Sequence, residues 1–155
     1  MDLQKELLFK VLDKSNVARL ALIDRKFLPD AMPIVFGRRE NVLFSPVDGK
    51  PKKTANLARI KNLEANSNTM LLFDHYSSNW EDLWWLRLVC DAKVVINPGE
   101  TREYERILYE KYEQYQITEM SKSQTKKTFI IFEVLSLKYW GFLGENSLLK
   151  WLEEV

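Results

Sequence analysis

The chain has 155 residues, 46% of them apolar and 12% aromatic, and its 23 basic and 22 acidic side chains leave a formal charge of +1. That length predicts one domain over residues 1–155, and the apolar share excludes a disordered chain. The even charge balance speaks against nucleic acid as a partner, and no apolar run approaches the ~20 residues that cross a bilayer.

The charged start, Met1-Asp2-Leu3-Gln4-Lys5-Glu6, does not read as a secretory leader, so the expected compartment is the cytoplasm, with no membrane attachment. Leu3, Leu7, Leu8, Val11 and Leu12 share one helical face and predict an N-terminal helix within residues 1–14. Residues 17–23 and 31–36 read as short strands. The second contains Pro33, which confines it to an edge or a bulge. Residues 38–41 read as a turn and 41–45 as a third strand, giving an antiparallel meander. A loop over 46–54 leads to Thr54, an N-cap for a helix over 55–65 that turns Leu57 and Ile60 inward. A fourth strand covers 69–74, and 75–82 is a polar and aromatic loop. The strand over 84–96 alternates clearly from Leu86, with Leu88, Cys90, Ala92, Val94 and Ile96 on the same face. An acidic helix over 100–115, a polar link over 121–127 and a sixth strand over 128–137 follow. The tail, 141–155, includes a short helix over 147–155. Six strands with inserted helices and no βαβ rhythm predict a mainly β fold, a small antiparallel barrel.

Cys90 and His75 are each the only residue of their kind. A disulfide within the chain, a thiolate cluster and a multi-histidine zinc site are thereby excluded. No nucleophile-elbow sequence is present, so any redox or transfer chemistry points to a bound cofactor. Cys90 itself, on the inward face of its strand, reads as an inert core thiol. Arg19, inside a strand, reads as a snorkelling or ion-paired residue rather than a ligand contact. Tyr104, Tyr109, Tyr112 and Tyr115 read as packing on the acidic helix.

Two segments stand out. Lys50, Lys52, Lys53, Arg59 and Lys61 precede any acidic residue until Glu64, and the first three sit with Thr54 at the start of a helix. A helix N-terminus exposes unpaired N–H groups and about half a positive charge, so cations and a hydroxyl there make a phosphate site. A solvated basic loop is the plainer alternative. The second segment holds His75, Tyr76, Trp80, Trp84, Trp85 and Arg87 within thirteen residues. Such density suits the wall of a flat ring system or a subunit interface, and one surface can serve both.

The stretches Val17-Ala18-Arg19-Leu20-Ala21 with Pro33-Ile34-Val35-Phe36, Asp48-Gly49-Lys50-Pro51-Lys52-Lys53-Thr54 with Leu57 and 59–62, and Asp74-His75-Tyr76 with Trp80 and Leu83-Trp84-Trp85 share order and spacing with a known family. Over about residues 7–140 the chain resembles the pyridoxamine-phosphate-oxidase-like proteins that bind FMN or coenzyme F-420, and in particular their deazaflavin-dependent branch. The resemblance implies a six-stranded split β-barrel of the FMN-binding-protein type that forms homodimers, with cofactor pockets at the subunit interface. It places the cofactor phosphate at Ser45, Lys50, Lys52, Lys53 and Thr54, and the ring along Pro33, Ile34 and Val35. Trp80, Trp84, Trp85 and Arg87, with His75 nearby, become the expected wall facing substrate or the partner subunit. The Arg and His motifs with which true pyridoxamine phosphate oxidases hold their substrate are absent from 140–146, which argues against vitamin B6 oxidation.

The expected activity is hydride transfer to a small molecule through bound F-420 or FMN, with His75 as the candidate for any proton transfer because imidazole titrates near neutrality. The alternative is a non-catalytic FMN, deazaflavin or haem carrier on the same fold. A nucleic-acid module built on the basic stretch and the indoles is the third reading, disfavoured because the rest of the chain has no basic face.

Overall fold

A computed structural model of the chain describes residues 3–47, 53–96, 98–113 and 128–154. Helix α1 (Leu3–Lys14) comes first, followed by strands β1 (Ala18–Ile23), β2 (Pro29–Ile34), β3 (Gly37–Arg39) and β4 (Val42–Val47). Helix α2 (Lys53–Ala65) leads to β5 (Asn68–His75), a 3₁₀ turn (Trp80–Asp82) and β6 (Trp84–Val95). Helix α3 (Pro98–Lys111), β7 (Thr128–Gly141) and helix α4 (Glu145–Glu154) complete the order.

The strands form one antiparallel sheet in the order β2-β1-β5-β6-β7-β4-β3, open between its end strands. The long strands β6 and β7 pair along their whole length, and each serves two halves of the sheet. The first part of β6 continues to β5 and β1, while the first part of β7 continues to β4 and β3. Between Cys90↔Val134 and Val89↔Ser136 the register slips, leaving Leu135 as an extra residue that bends β7.

Period-2 alternation on the strands and the apolar stripe of α1 meet in the main core, which joins Val11 and Leu12 to Leu20, Phe36, Leu71, Phe73, Trp84, Leu86 and Phe132. The Ser15 hydroxyl donates to the Val11 carbonyl and closes α1. A smaller core lies between α3 and the β4–β7 pair, where Tyr104 stacks on Phe44. The Tyr112 hydroxyl donates to the Asn16 carbonyl and accepts from the Phe36 amide. Packing is therefore the role of Tyr104 and Tyr112. Tyr109 is exposed, and Tyr115 lies outside the described residues.

Several expectations need correction. Among the described residues the sheet has seven strands, not six, because residues 37–39 pair with β4 where a turn was expected from residue 38. Arg38 and Arg39 carry no apolar alternation to announce a strand. Gly37 makes the pairing possible, since a Cβ there would overlap the Phe44 ring. The reversal itself falls at Glu40, with φ of 55°. Strand β7 runs on to Gly141, because Tyr139 and Trp140 still pair with Leu86 and Trp85. Helix α3 starts earlier than expected, with Pro98 in its first turn, where the missing N–H goes unneeded. Leu57, expected inward, is 51% exposed. The edge forecast from Pro33 is met, because β2 ends the sheet.

Candidate functional site

Strand β2 has β1 on one side and, among the described residues, no strand on the other. Asp24 donates its N–H to the Leu28 carbonyl, and this sets the phase of the hairpin ladder. Even-numbered residues of β2 therefore bond to β1, and Pro29, Ala31 and Pro33 turn their main chain to the free edge. Prolines carry no N–H, so Ala31 supplies the edge's one donor amid three carbonyls. Of the residues implied to lie along a cofactor ring, Pro33 is exposed, Val35 is half-buried and Ile34 belongs to the core. Ser45 is 2% exposed, and its hydroxyl donates to the Val35 carbonyl at 2.7 Å. It ties β4 to the end of β2 and has spent its proton there, which leaves phosphate binding to other donors.

Helix α2 begins at Lys53, so Thr54 lies inside the first turn and not at the N-cap. Lys50 and Lys52 lie outside the described residues. Farther along, Asn62 Oδ1 accepts from both the Arg25 amide and its Nε, pinning the β1–β2 hairpin to the helix. Arg59 shares this side of the molecule. Its guanidinium is half-buried, and desolvation holds its pKa below the usual value while Asp30 of β2 pulls it back up. Among the described residues Arg59 has no hydrogen bond or ion pair. A partly desolvated cation with no direct hydrogen bond or ion pair among the described residues, influenced only by the Asp30 carboxylate and next to an exposed edge strand, is an arrangement that favours an anion. The sequence placed Arg59 in the basic stretch without setting it apart from its neighbours. The distinguishing feature is its depth, which helical phase alone does not give.

The structure divides the aromatic segment among three places. Trp80, on the 3₁₀ turn, is 68% exposed. Trp84 is fully buried, edge-on to Trp151 of α4 at 5.0 Å, so it is a core residue and lines no wall. Trp85 and Arg87 lie on the outer face of β6, with the guanidinium 5.2 Å from the indole ring. His75 is half-buried, with its ring 6.4 Å from Trp151. Close by, Asp82 pairs with Lys150 and accepts from the Ser77 hydroxyl, and the Ser147 hydroxyl donates to the Glu81 carbonyl. Helix α4 is thus fastened over the 3₁₀ turn, a contact that 141–155 gave no sign of. Within one chain, Trp85 and Arg87 stand three strands from β2, roughly 14 Å at the usual strand spacing.

Burial pushes the Cys90 thiol up to about 12, as an inert core residue requires. Arg19 pairs with Asp74 at 2.8 Å. Among the described residues no cluster of His, Cys, Asp and Glu is arranged to hold a metal, and no helix is long and apolar enough to cross a membrane.

No protein-family model and no curated protein matches the chain in sequence. Solved structures do match in shape. A heme binding protein from Mycobacterium smegmatis superposes with a TM-score of 0.70 at 12% identity, over 96% of this chain and 60% of that one. A Clostridium acetobutylicum protein related to general stress protein 26, of the pyridoxinephosphate oxidase family, gives 0.65 at 12% identity over 92% of each chain. A FAD binding protein from M. smegmatis gives 0.60 at 14% identity, over 92% and 98% of the two chains. At these identities the likeness is one of fold. The chain has the open antiparallel split-barrel fold that proteins of the pyridoxinephosphate oxidase family share with flavin-binding and heme-binding proteins.

Proposed function

We propose that the chain binds FMN or coenzyme F-420 as a homodimer and acts as an oxidoreductase on a small molecule. The observation that carries the reading is Arg59, half-buried and unpaired among the described residues, beside the exposed edge of β2. These residues fit an anionic, ring-bearing cofactor. Arg59 with Lys50, Lys52 and Lys53 would hold its phosphate, and Thr54 lies in the first turn of the same helix. The edge at Ala31–Pro33 would take the flat ring. When bound, such a cofactor accepts and returns a hydride. The protein's part is to orient it, exclude water and bring the substrate to one face.

Trp85 and Arg87, three strands from β2, would face a second subunit rather than a ring held at the β2 edge of their own chain. The outer side of β6 that carries them is self-complementary. Arg87, Val89 and Asp91 follow one another on the outer side of β6, so a two-fold axis through Val89 would oppose each Arg87 to the partner copy's aspartate. His75 stays the candidate proton carrier, and its place beside Trp151 would put any proton path under α4.

Titration of the purified protein with FMN and with F-420, followed by absorbance and fluorescence, tests the reading. Saturable binding of either is expected. Arg59→Gln, Lys52→Ala and Lys53→Ala should each weaken it by about 1–3 kcal/mol, as for charge-assisted contacts. Unchanged affinity in all three variants removes the phosphate site. The second reading, a carrier of FMN, deazaflavin or haem, draws on the shape shared with the heme binding protein. It predicts bound cofactor with no reduction or reoxidation by any acceptor.

A further inference from the structure

Strand β7 changes its surroundings at the bulge. Residues 128–133 lie between β6 and β4, whereas 135–141 pair with β6 alone among the described residues. The stretch from Leu135 to Trp140, about 20 Å of strand, therefore offers main-chain donors and acceptors along a free edge. Natural edges are usually blunted by prolines or several charges. Strand β2 has two prolines in this role, but this part of β7 has none, and Lys138 is its one charged residue.

The first turns of α1 run alongside, leaving a groove of about 450 Å³ lined by Gln4, Lys5, Leu8, Leu137, Lys138 and Tyr139. Leu8 and Leu137 supply apolar surface. Gln4 donates through Nε2 to the Tyr139 hydroxyl at 3.0 Å, so that phenol is already held in place. Both ionic groups on the lining, Lys5 and Lys138, are cations. A strand edge facing a helix across a groove is suited to an extended chain. The edge satisfies every second residue's main chain, and the groove takes alternate side chains. The charge on the lining selects for carboxylates.

We propose that the groove between α1 and the second half of β7 binds an extended acidic peptide, which adds to the sheet as a further strand beside residues 135–140. This site is separate from the one around β2 and α2, and its occupation does not depend on a cofactor.

The test uses the full chain and a capped nonapeptide of alternating valine and glutamate, with two controls: the same peptide with lysine for glutamate, and one N-methylated at alternate residues. Binding is followed by amide chemical shifts and by hydrogen exchange of residues 135–140. The acidic peptide should bind saturably and slow exchange there at least tenfold, while both controls fail. Lys5→Glu/Lys138→Glu should reverse the charge preference, taking the lysine peptide and losing the acidic one by tenfold or more. Its dispersed amide spectrum would show that it remains folded. The proposal is overturned if millimolar acidic peptide leaves exchange at 135–140 unchanged. It is equally overturned if the N-methylated peptide binds as well as its parent, because the main chain would then not be recognised.

Discussion

Trp84 and Trp85 are adjacent and chemically identical, yet one is sealed in the core and the other lies on an outer face. The indole N–H of Trp84 is buried with no hydrogen-bond acceptor among the described residues, edge-on to the ring of Trp151. Removing that N–H while keeping an aromatic ring relieves an unsatisfied donor, whereas removing the ring opens a cavity. Trp84→Ala should therefore lower stability by about 3–5 kcal/mol in urea denaturation, and Trp84→Phe should recover most of the loss. An equal loss in both variants would mean that the indole N–H has an acceptor. The sequence contained the means to separate the two tryptophans. The alternation starting at Leu86, taken one step back, puts Trp84 in the inward phase and Trp85 in the outward one. Aromatic density drew both into one wall, and density carries no information about facing. The depth of Arg59 was less accessible, because it depends on how α2 settles against the β1–β2 hairpin.

At the scale of elements, the least anticipated feature is the fastening of α4 to the 3₁₀ turn. Its amphipathic pattern is plain enough to predict a helix, but its docking site is formed by residues some 65 positions earlier, through Ser147 and the Glu81 carbonyl. The Asp82 carboxylate is held below its usual range, chiefly by its hydrogen bond to Lys150 and also by the Ser77 hydroxyl. A folded-state pKa below the unfolded value means that the contribution is complete above the unfolded value, about 3.9, and is lost as pH falls through the folded one. Thermal melts from pH 6 downward, followed by tryptophan emission, should show the wild type losing stability below pH 4 more steeply than Asp82→Asn. Parallel curves would show that the pair contributes nothing to the acid limb. Strands were more legible than their connections. Pro33 announced an edge, and the alternation on β6 announced its buried face. The pairing of Gly37–Arg39 could not be seen, because a three-residue strand of glycine and arginines has no apolar rhythm.

For the whole molecule, the even charge total conceals a spatial order. On the outer face of β6, Arg87 and Asp91 flank Val89, the geometry a two-fold axis needs to pair unlike charges. Arg87→Asp should shift the protein toward monomer in light scattering at micromolar concentration. Restoring the pattern in reverse, with Arg87→Asp and Asp91→Arg together, should recover the dimer. A dimer that survives the single substitution would move the interface elsewhere. A mainly β, antiparallel fold was legible from strand spacing and the lack of a βαβ rhythm, whereas its split form came only with the family resemblance and the seventh strand was not legible at all.

The prolines of β2 have a consequence for how copies of this chain can grow into larger assemblies. Polymerisation through strand edges requires two receptive sides on each molecule, so that every addition leaves a new end. One terminal strand is short of donors at Pro29 and Pro33, and the other is three residues long and carries two arginines. Among the described residues, only the stretch beyond the bulge in β7 remains open to a further strand. With a single receptive side among the described residues, edge-to-edge pairing would leave no new end to grow from, which guards against fibre growth.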